Sequence, residues 1–273
     1  MKILFLIIAS QNEVNESDRI SQSNTWAFQD LDDISILWLR GWDKDHYSLV
    51  GRELYVPCVE EYENILEKTI LGINYALENM NFDILIRSNV STYFDLVLLG
   101  KELARNQFSG DFYGGYVDKT KGSYFGGSAP YEYLSGTGIF LSKSCAQLLS
   151  KLKPQDFTGI PDDVAISEFC RSHGLRRIRM KRNNLYSTHL FFPTFHIRAK
   201  SSTDSHLAGK RMVLINDYFA AKTALDRIRI YTSIQIKEII ALIRHPESIR
   251  VYLLRNRVIF SSYIRMRMER FFQ

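Results

Sequence analysis

Two adjacent carboxylates, Asp162 and Asp163, follow Pro161 in the segment GIPDDVAISEFC. An aspartate at the start of a helix commonly caps the first turn by accepting a backbone hydrogen bond. A carboxylate that faces a ligand cleft can instead act as a general base, because an attacking hydroxyl must lose its proton. The residue types leave both interpretations open, and the two roles can be divided between the neighbours.

A second candidate is the glycine-containing segment SGTGIFLS, residues 135–142. One interpretation is a tight glycine turn that leads into a helix. The other is a stretch of backbone that approaches a sugar or a phosphate closely, where a Cβ atom would be in the way. Its first residues close a Gly- and Tyr-rich segment, residues 117–138, which we predict to be one loop of about twenty residues. Loops of that length are more often functional than idle.

His196, Arg198 and Lys200 alternate in the segment HIRAK. In an extended chain, alternate side chains point to the same face of the strand. Three cationic or cation-capable groups on one face can bind a diphosphate through charge-assisted hydrogen bonds. A solvated edge strand explains the same spacing equally well.

The stretch FDILIRSNVSTYFD, residues 82–95, brings an apolar run to an end at small polar residues. FDILIR has the composition of a buried strand, so Arg87 to Ser91 form its carboxyl end. In open α/β sheets, ligands bind in the crevice at the carboxyl ends of the strands. We therefore place this junction at a ligand site.

Short apolar runs and amphipathic segments alternate through the first two-thirds of the chain, and they must position these residues. Strands are predicted at KILFLIIA, ISILWL, ELYVP, FDILIR and DFYGGYV, and a helix at EEYENILEKTILGINYALENM. Further helices are predicted from about Ser142 to Leu152 and from about Asp162 to His173, and RRIRMKR is predicted as an exposed basic strand. This order predicts an α/β fold with a mostly parallel sheet flanked by helices.

Composition narrows the classes of function. Cys58, Cys145 and Cys170 are far apart and lack CxxC spacing, which argues against a zinc site and a disulfide framework. The usual hydrolase, metalloprotease, Walker and dinucleotide-binding motifs are absent. We interpret the opening MKILFLIIAS, which is too short to span a membrane, as a buried strand. No segment of the sequence has the roughly 18 uninterrupted apolar residues of a membrane span. We expect a cytoplasmic protein.

The positive charge is confined to the C-terminal part of the chain. Residues 1–170 carry 14 Lys and Arg against 24 Asp and Glu, whereas residues 171–273 carry 21 against 6. We predict a domain at residues 1–208 and a basic helical extension at 209–273. Residues 249–273 interleave arginines with large apolar side chains, which favours docking on an anionic membrane surface, peripherally at its inner face. A helix packed on its own domain is the alternative, and no nucleic-acid partner is expected.

Four stretches in the same order resemble the β-1,3-galactosyltransferase and Fringe superfamily of glycosyltransferases and its bacterial and viral surface-glycan relatives. They are Thr25-Trp26, EKTILGINYAL, PYEYLSGTGIFLS and PDDVAIS, within residues 1–200. The resemblance implies a GT-A fold and an inverting transfer of a hexose, with galactose as a candidate. The donor is then a nucleotide sugar, expected to be a UDP-sugar, and the acceptor a hydroxyl of a glycan or lipid-linked glycan, as in capsule or lipopolysaccharide. A non-catalytic carbohydrate-binding or scaffold protein with a degenerate GT-A fold is the alternative.

The resemblance also implies roles for individual residues. Asp163 matches the catalytic base and Asp162 its flanking acidic residue, while Ser135, Gly136 and Gly138 match the acceptor side. Lys68 and Arg87 match basic positions of the family, and His196 matches a late histidine that helps to hold the metal or the donor diphosphate. Together with these residues, we expect donor binding by Ser10, Asn89, Ser91, Arg198 and Lys200.

The stretch RSNVSTY departs from the family pattern, in which aspartates of a KTDDDVF-like run hold Mn²⁺ or Mg²⁺ against the donor diphosphate. Neutral Asn and Ser oxygens bind a hard divalent cation much more weakly than carboxylates do. If a metal is bound, Asn89, Ser91 and His196 are its candidate ligands. Our hypothesis is that Asn89 and Ser91 hydrogen-bond the donor, while His196, Arg198 and Lys200 supply the positive charge that a metal supplies elsewhere.

Overall fold

The computed structural model describes residues 1–28, 31–105, 108–120, 124–125, 130–184, 194–199 and 208–221, together with residues 226, 227, 229, 230 and 232. Lys200 and the basic segment 249–273, both singled out from the sequence, lie outside these residues. The membrane-docking role of that segment therefore stays a prediction. Among the described residues, none of the helices combines the length and the apolar composition that a bilayer crossing requires.

A mixed sheet of eight strands forms the centre of the described part of the chain. Its strands are β1 (Ile3–Ile8), β2 (Ile34–Trp42), β3 (Ser48–Val50), β4 (Glu53–Pro57), β5 (Ile84–Asn89), β7 (Phe112–Lys119), β8 (Glu132–Ser142) and β9 (Arg176–Arg179). They lie in the order β3-β4-β2-β1-β5-β8-β7-β9. The pairs β1–β2, β1–β5, β2–β4 and β7–β9 are parallel, whereas β3–β4, β5–β8 and β7–β8 are antiparallel.

Three short strands form a second sheet beside the end of β5. They are β6 (Thr92–Phe94), β10 (Asn183–Asn184) and β11 (His196–Arg198), in the order β10-β11-β6. β11 runs antiparallel to β6, so that His196 lies opposite Phe94 and Arg198 lies opposite Thr92. The backbone N–H of Ala199 donates to the carbonyl of Ser91 at 2.9 Å. The small sheet therefore holds Arg198 next to the carboxyl end of β5.

Six α-helices flank the sheet in the described part of the chain. They are α1 (Glu13–Ser23), α2 (Ile65–Asn79), α3 (Leu96–Leu103), α4 (Lys143–Leu149), α5 (Asp162–Ser172) and α6 (Ala208–Ala220). Side-chain oxygens cap three of them: Asn12 caps α1, Asp95 caps α3 and Ser142 caps α4. Each accepts a hydrogen bond from a backbone N–H of the first turn, which would otherwise have no partner within the helix.

The core has two halves, one on each face of the sheet, because successive residues of a strand point in opposite directions. Along β1, Ile3, Phe5 and Ile7 belong to one half, and Leu4 and Leu6 to the other. Helices α3 and α6 pack in the first half, whereas α2, α4 and α5 pack in the second. Both faces of the sheet are therefore covered, as in other α/β proteins.

Helix α6 begins close to the predicted domain boundary between residues 208 and 209. Its residues Ala208, Met212 and Ile215 are fully buried in the same half of the core as Phe5. The helix also packs against α1. Whether residues 209–273 form a separate unit stays a prediction.

The five strands and the long helix predicted from the sequence are confirmed, and so is the mixed, mostly parallel sheet flanked by helices. Of the two interpretations of SGTG, the tight glycine turn is wrong, and the loop predicted over residues 117–138 is wrong at both ends, because β7 extends to Lys119 and β8 begins at Glu132. Residues 135–138 lie inside β8, a strand with hydrogen-bonded neighbours on both sides. The two glycines therefore do not turn the chain, and the reason for their presence must lie in what surrounds them.

Candidate active site

Most of the polar residues singled out from the sequence meet in one cleft with a volume of about 710 Å³. The cleft lies at the carboxyl ends of β1 and β5 and is bordered by β8 and the start of α5. The sequence-predicted residues that line it are Ser10, Lys68, Arg87, Asn89, Ser91, Ser135, Gly136, Asp162, Asp163 and Arg198. Gly138 and His196 do not line it, and Lys200 lies outside the described residues.

Asp162 and Asp163 are the first two residues of α5, and neither is its N-cap. The preceding position is Pro161, which has no side chain able to accept a hydrogen bond from the first turn. The N-cap interpretation is therefore wrong, but Oδ1 of Asp163 accepts the N–H of Val164 in the first turn at 3.0 Å. Asp162 instead forms an ion pair of 2.5 Å with the buried guanidinium of Arg87, at the end of β5.

The peptide group of Gly136 connects Arg87 to Asp163. Its carbonyl accepts a hydrogen bond of 2.5 Å from Nη1 of Arg87, and its N–H donates to Oδ2 of Asp163 at 3.0 Å. A Cβ atom on Gly136 would lie 2.5 Å from Arg87 Nη1 and 3.3 Å from the Asp163 carboxylate. A side chain at this position would therefore require the Arg87 guanidinium to shift and would disturb its contacts.

The environment of Asp163 raises the pKa of its carboxyl group to about 6. Burial is the largest cause, and the negative charge of Asp162 is the second. The charge of Arg87 and the N–H groups of Gly136 and Val164 act in the opposite direction. A carboxylate with a pKa near neutrality is ionised at pH 7 and can still accept a proton, which suits a general base.

A network of buried side chains fixes the backbone around Asn89 and Ser91. The indole N–H of Trp26 donates to the carbonyl of Thr92 at 3.0 Å, and the Gln22 amide donates to the same carbonyl at 3.0 Å. Gln22 in turn accepts a hydrogen bond of 3.0 Å from the indole of Trp38. Trp26 of the Thr25-Trp26 motif therefore stabilises the polar turn at the end of β5 through its hydrogen bond to the backbone.

The side chains at this turn do not fit a hard divalent cation. Oδ1 of Asn89 accepts hydrogen bonds from Ser91 Oγ at 3.0 Å and from Thr92 Oγ1 at 2.9 Å. Both lone pairs of that oxygen therefore accept hydrogen bonds and are not free to bind a metal ion. The NH₂ group of the same amide is a hydrogen-bond donor with partial positive charge, which repels a cation. Of the described residues, no group of three or more His, Cys, Asp or Glu side chains is arranged to hold a metal ion.

His196 is placed differently from its prediction. Its side chain is fully buried, stacks on Phe94 with ring centroids 5.0 Å apart, and would lie 3.0 Å from a Cβ atom on Gly138. Burial, followed by the charge of Arg182, lowers the pKa of His196 to about 3. The imidazole is therefore neutral at pH 7, and the positive charge expected of it must be sought elsewhere.

Lys68 and Ser10 line the cleft near the end of β1. The buried ammonium group of Lys68 pairs with the Glu60 carboxylate and lies 3.4 Å from the carbonyl of Ala9. Its charge is thus compensated inside the protein. The hydroxyl of Ser10 accepts a hydrogen bond of 2.6 Å from the Asn12 amide, which leaves its own proton available to a ligand.

Several residues at the cleft were missed by the sequence interpretation, among them Tyr62, Asp118 and Tyr133, which line it, and Arg182, which lies behind Ser135. Burial is the largest cause of the raised pKa of Tyr62 and of Tyr133, and the charge of Asp163 adds to both, for Tyr62 after that of Asp162. Tyr133 belongs to PYEYLSGTGIFLS and Arg182 to RRIRMKR, but nothing in those segments marks either residue as part of a cleft.

No protein-family model matches the sequence, and no curated protein matches it at a significant level. Among solved structures, a glycosyltransferase involved in the glycosylation of the major capsid of PBCV-1 superposes with a TM-score of 0.50. It shares 9% identity, and the match covers 78% of this chain and 100% of that one. The fold is that of GT-A glycosyltransferases.

Two other glycosyltransferases superpose less closely. The mannosyltransferase PcManGT from Pyrobaculum calidifontis, in complex with GDP-Man and Mn²⁺, has a TM-score of 0.44 and 11% identity, with 98% of this chain and 82% of that one covered. The galactosyltransferase LgtC, in complex with donor and acceptor sugar analogs, has a TM-score of 0.45 and 9% identity, with 82% and 97% covered. Identities this low concern the fold alone, so the Fringe-like resemblance remains a prediction from the sequence.

Proposed function

We propose that this chain is a glycosyltransferase that moves a sugar from a nucleotide-sugar donor to a hydroxyl group of a glycan. The observation that carries the proposal is the Asp163 carboxylate. It lines the cleft at the carboxyl ends of β1 and β5 in a GT-A fold, accepts a hydrogen bond from the Gly136 N–H at 3.0 Å, and has a pKa raised to about 6. These are the properties of a general base that works near neutral pH.

The proposed reaction is a single displacement with inversion at the anomeric carbon. The Asp163 carboxylate takes the proton of the acceptor hydroxyl as the hydroxyl oxygen attacks that carbon. The bond from the anomeric carbon to the diphosphate oxygen breaks, and its electron pair leaves with the nucleoside diphosphate. Asp162 is assigned no proton transfer, because its charge is paired with Arg87 at 2.5 Å.

The donor is proposed to bind along the ends of β1 and β5. Ser10 and the free NH₂ group of Asn89 offer hydrogen bonds there, and Arg198 offers a positive charge. Because the turn at Asn89 does not fit a divalent cation, we propose that donor binding is independent of metal. A UDP-sugar donor, a hexose and a surface-glycan acceptor belong to this proposal as the expectations drawn from the sequence.

A donor screen tests the proposal. Purified protein is incubated with UDP-, GDP-, dTDP- and CMP-sugars, with or without an added glycan acceptor, in parallel buffers containing EDTA or Mn²⁺. We expect release of one nucleoside diphosphate, accelerated by the acceptor and undiminished in EDTA. Strict dependence on Mn²⁺ would contradict the metal-independent donor site, and saturable donor binding without turnover would favour the non-catalytic alternative.

A further inference from the structure

Arg182 is a buried cation that the sequence did not single out. Its side chain is 2% exposed and lies immediately before β10. Nη1 donates to Ser135 Oγ at 2.7 Å and to Thr137 Oγ1 at 3.0 Å, and the guanidinium lies 3.9 Å from the centroid of the Tyr116 ring. Its carboxylate partner in the described part of the chain is Asp118, 3.9 Å from Nη2. That distance exceeds hydrogen-bond reach, so the buried charge is only weakly compensated.

Arg198 places a second cation on the same wall of the cleft. It lies on β11, which pairs with β10, and it lines the cleft beside Ser91. Within the described residues it forms no hydrogen bond and no ion pair. Burial, followed by the charge of Arg198, lowers the pKa of Arg182 to about 10, so the two guanidinium groups repel one another. In the described part of the chain, Asp118 is therefore the one carboxylate that pairs with either guanidinium, and it pairs with Arg182 alone.

Ser135 connects the buried Arg182 guanidinium to the cleft. Its hydroxyl oxygen accepts hydrogen bonds from Arg182 at 2.7 Å and from Thr137 at 3.3 Å. A hydroxyl that accepts two hydrogen bonds keeps one proton to donate. Because Ser135 lines the cleft, a ligand oxygen is the natural acceptor, and the donor strength of the hydroxyl is increased by the guanidinium behind it.

We propose that Arg198, Ser135 and Arg182 form an anion subsite for the diphosphate of the donor. This inference rests on the proposed function and adds residues to it. Arg198 binds phosphate oxygens directly, Ser135 donates one hydrogen bond, and Arg182 is a positioning residue that acts through Ser135. Ser135 then serves the donor rather than the acceptor side to which the family resemblance assigned it. The subsite supplies the charge that was expected of His196, and it stabilises the negative charge that the leaving group gains.

Binding of inorganic pyrophosphate tests the subsite without any sugar transfer. Isothermal titration calorimetry at low salt in EDTA compares the wild type with Arg198→Gln, Ser135→Ala and Arg182→Met. The matched control is Arg179→Gln, which removes an arginine from β9 that pairs with Glu132 and does not line the cleft. We expect Arg198→Gln to weaken binding by roughly tenfold to a hundredfold, as for the loss of a charge-assisted contact. Ser135→Ala and Arg182→Met are expected to weaken it by about threefold to tenfold, and the control by less than about twofold.

Equal pyrophosphate affinity in the wild type and Arg198→Gln would overturn the proposal, and so would binding by the wild type only when Mn²⁺ is added. If Arg182→Met fails to fold, Arg198→Gln and Ser135→Ala decide the question. Titrations with UDP, GDP and inorganic phosphate identify the source of the diphosphate, because a nucleoside diphosphate should bind more tightly than pyrophosphate. Pyrophosphate binding without turnover of any donor would refute the proposed transfer reaction and leave the subsite intact.

Discussion

Arg87 lies 2.5 Å from the carboxylate of Asp162, whereas Asp163 forms no ion pair within the described residues. The two carboxylates are neighbours in the chain, but they interact with different groups. Among the described residues, Asp162 pairs with a guanidinium, whereas Asp163 accepts hydrogen bonds from the backbone N–H groups of Gly136 and Val164. Burial, followed by the negative charge of Asp162, raises the pKa of Asp163. One arginine thus separates a supporting carboxylate from a basic one, which is a recurrent way to assign proton-transfer roles.

Asp163→Asn is expected to lower the transfer rate by about 10²- to 10⁴-fold, because the amide cannot accept the proton of the acceptor hydroxyl. Nucleotide binding and the circular dichroism spectrum should be unchanged, since Asn has the same size and can accept the N–H of Gly136. Steady-state transfer to a glycan acceptor provides the measurement. Near-normal turnover would remove Asp163 from the role of base.

The pH dependence of kcat/KM should follow the ionisation of Asp163, rising with pH and reaching half its maximum near pH 6. Asp162→Asn removes a negative charge that raises the pKa of Asp163, so this limb should move to lower pH. Arg87→Met removes a charge that lowers the pKa, so the limb should move to higher pH. Rate profiles from pH 4.5 to 9 test both signs, and shifts in the same direction would contradict the network.

Asp163→Asn should also change how stability depends on pH. In the wild type the folded-state pKa of about 6 exceeds the ordinary aspartate value of 3.8, so the native state binds more protons than the unfolded state between these values. The free energy of unfolding therefore falls as the pH rises through this window. The asparagine side chain does not titrate, so the variant avoids this decrease in the free energy of unfolding. It should be more stable than the wild type by about 1–3 kcal/mol at pH 8, and the two proteins should have nearly equal stability at pH 3.5.

Urea unfolding at the two pH values measures this difference. Asp156→Asn is the matched control, because Asp156 is an exposed aspartate just before the same helix. It should change stability little at either pH. A wild type that is as stable as Asp163→Asn at pH 8 would show that burial of the Asp163 carboxylate costs little.

Gly136→Ala is expected to destabilise the protein by about 1–3 kcal/mol and to reduce transfer, because the new Cβ atom would lie 2.5 Å from Arg87 Nη1. Gly100→Ala is the control, since nothing lies within 4 Å of a Cβ atom at that exposed position on α3. It should be stabilising by about 0.5–1 kcal/mol, as alanine favours a helix. Thermal unfolding of both variants provides the comparison, and equal effects would show that the Arg87 contact is not a constraint.

The chain's local pattern determined much of the fold. The apolar runs that became β1 and β5 and the four-residue spacing that became α2 depend on neighbouring residues, so they can be predicted without the tertiary structure. The cleft could also be located, because strand ends in an α/β sheet meet at one edge. Asn89 and Ser91 line that cleft, as this argument predicts, whereas Asp163, at the start of a helix, was placed at the site only by the family resemblance.

Only the tertiary structure decided how the charges are distributed within that cleft. The partner of Asp162 is 75 positions away in the sequence, on another strand, so the different surroundings of Asp162 and Asp163 have no local signal. His196 and Arg198 alternate on one strand, yet burial makes the first neutral and leaves the second without an ion pair in the described part of the chain. Arg182 belongs to RRIRMKR, which was predicted as an exposed basic strand, yet its side chain is buried behind Ser135. Burial and electrostatic interactions depend on distance in space, and spacing along the chain does not encode them.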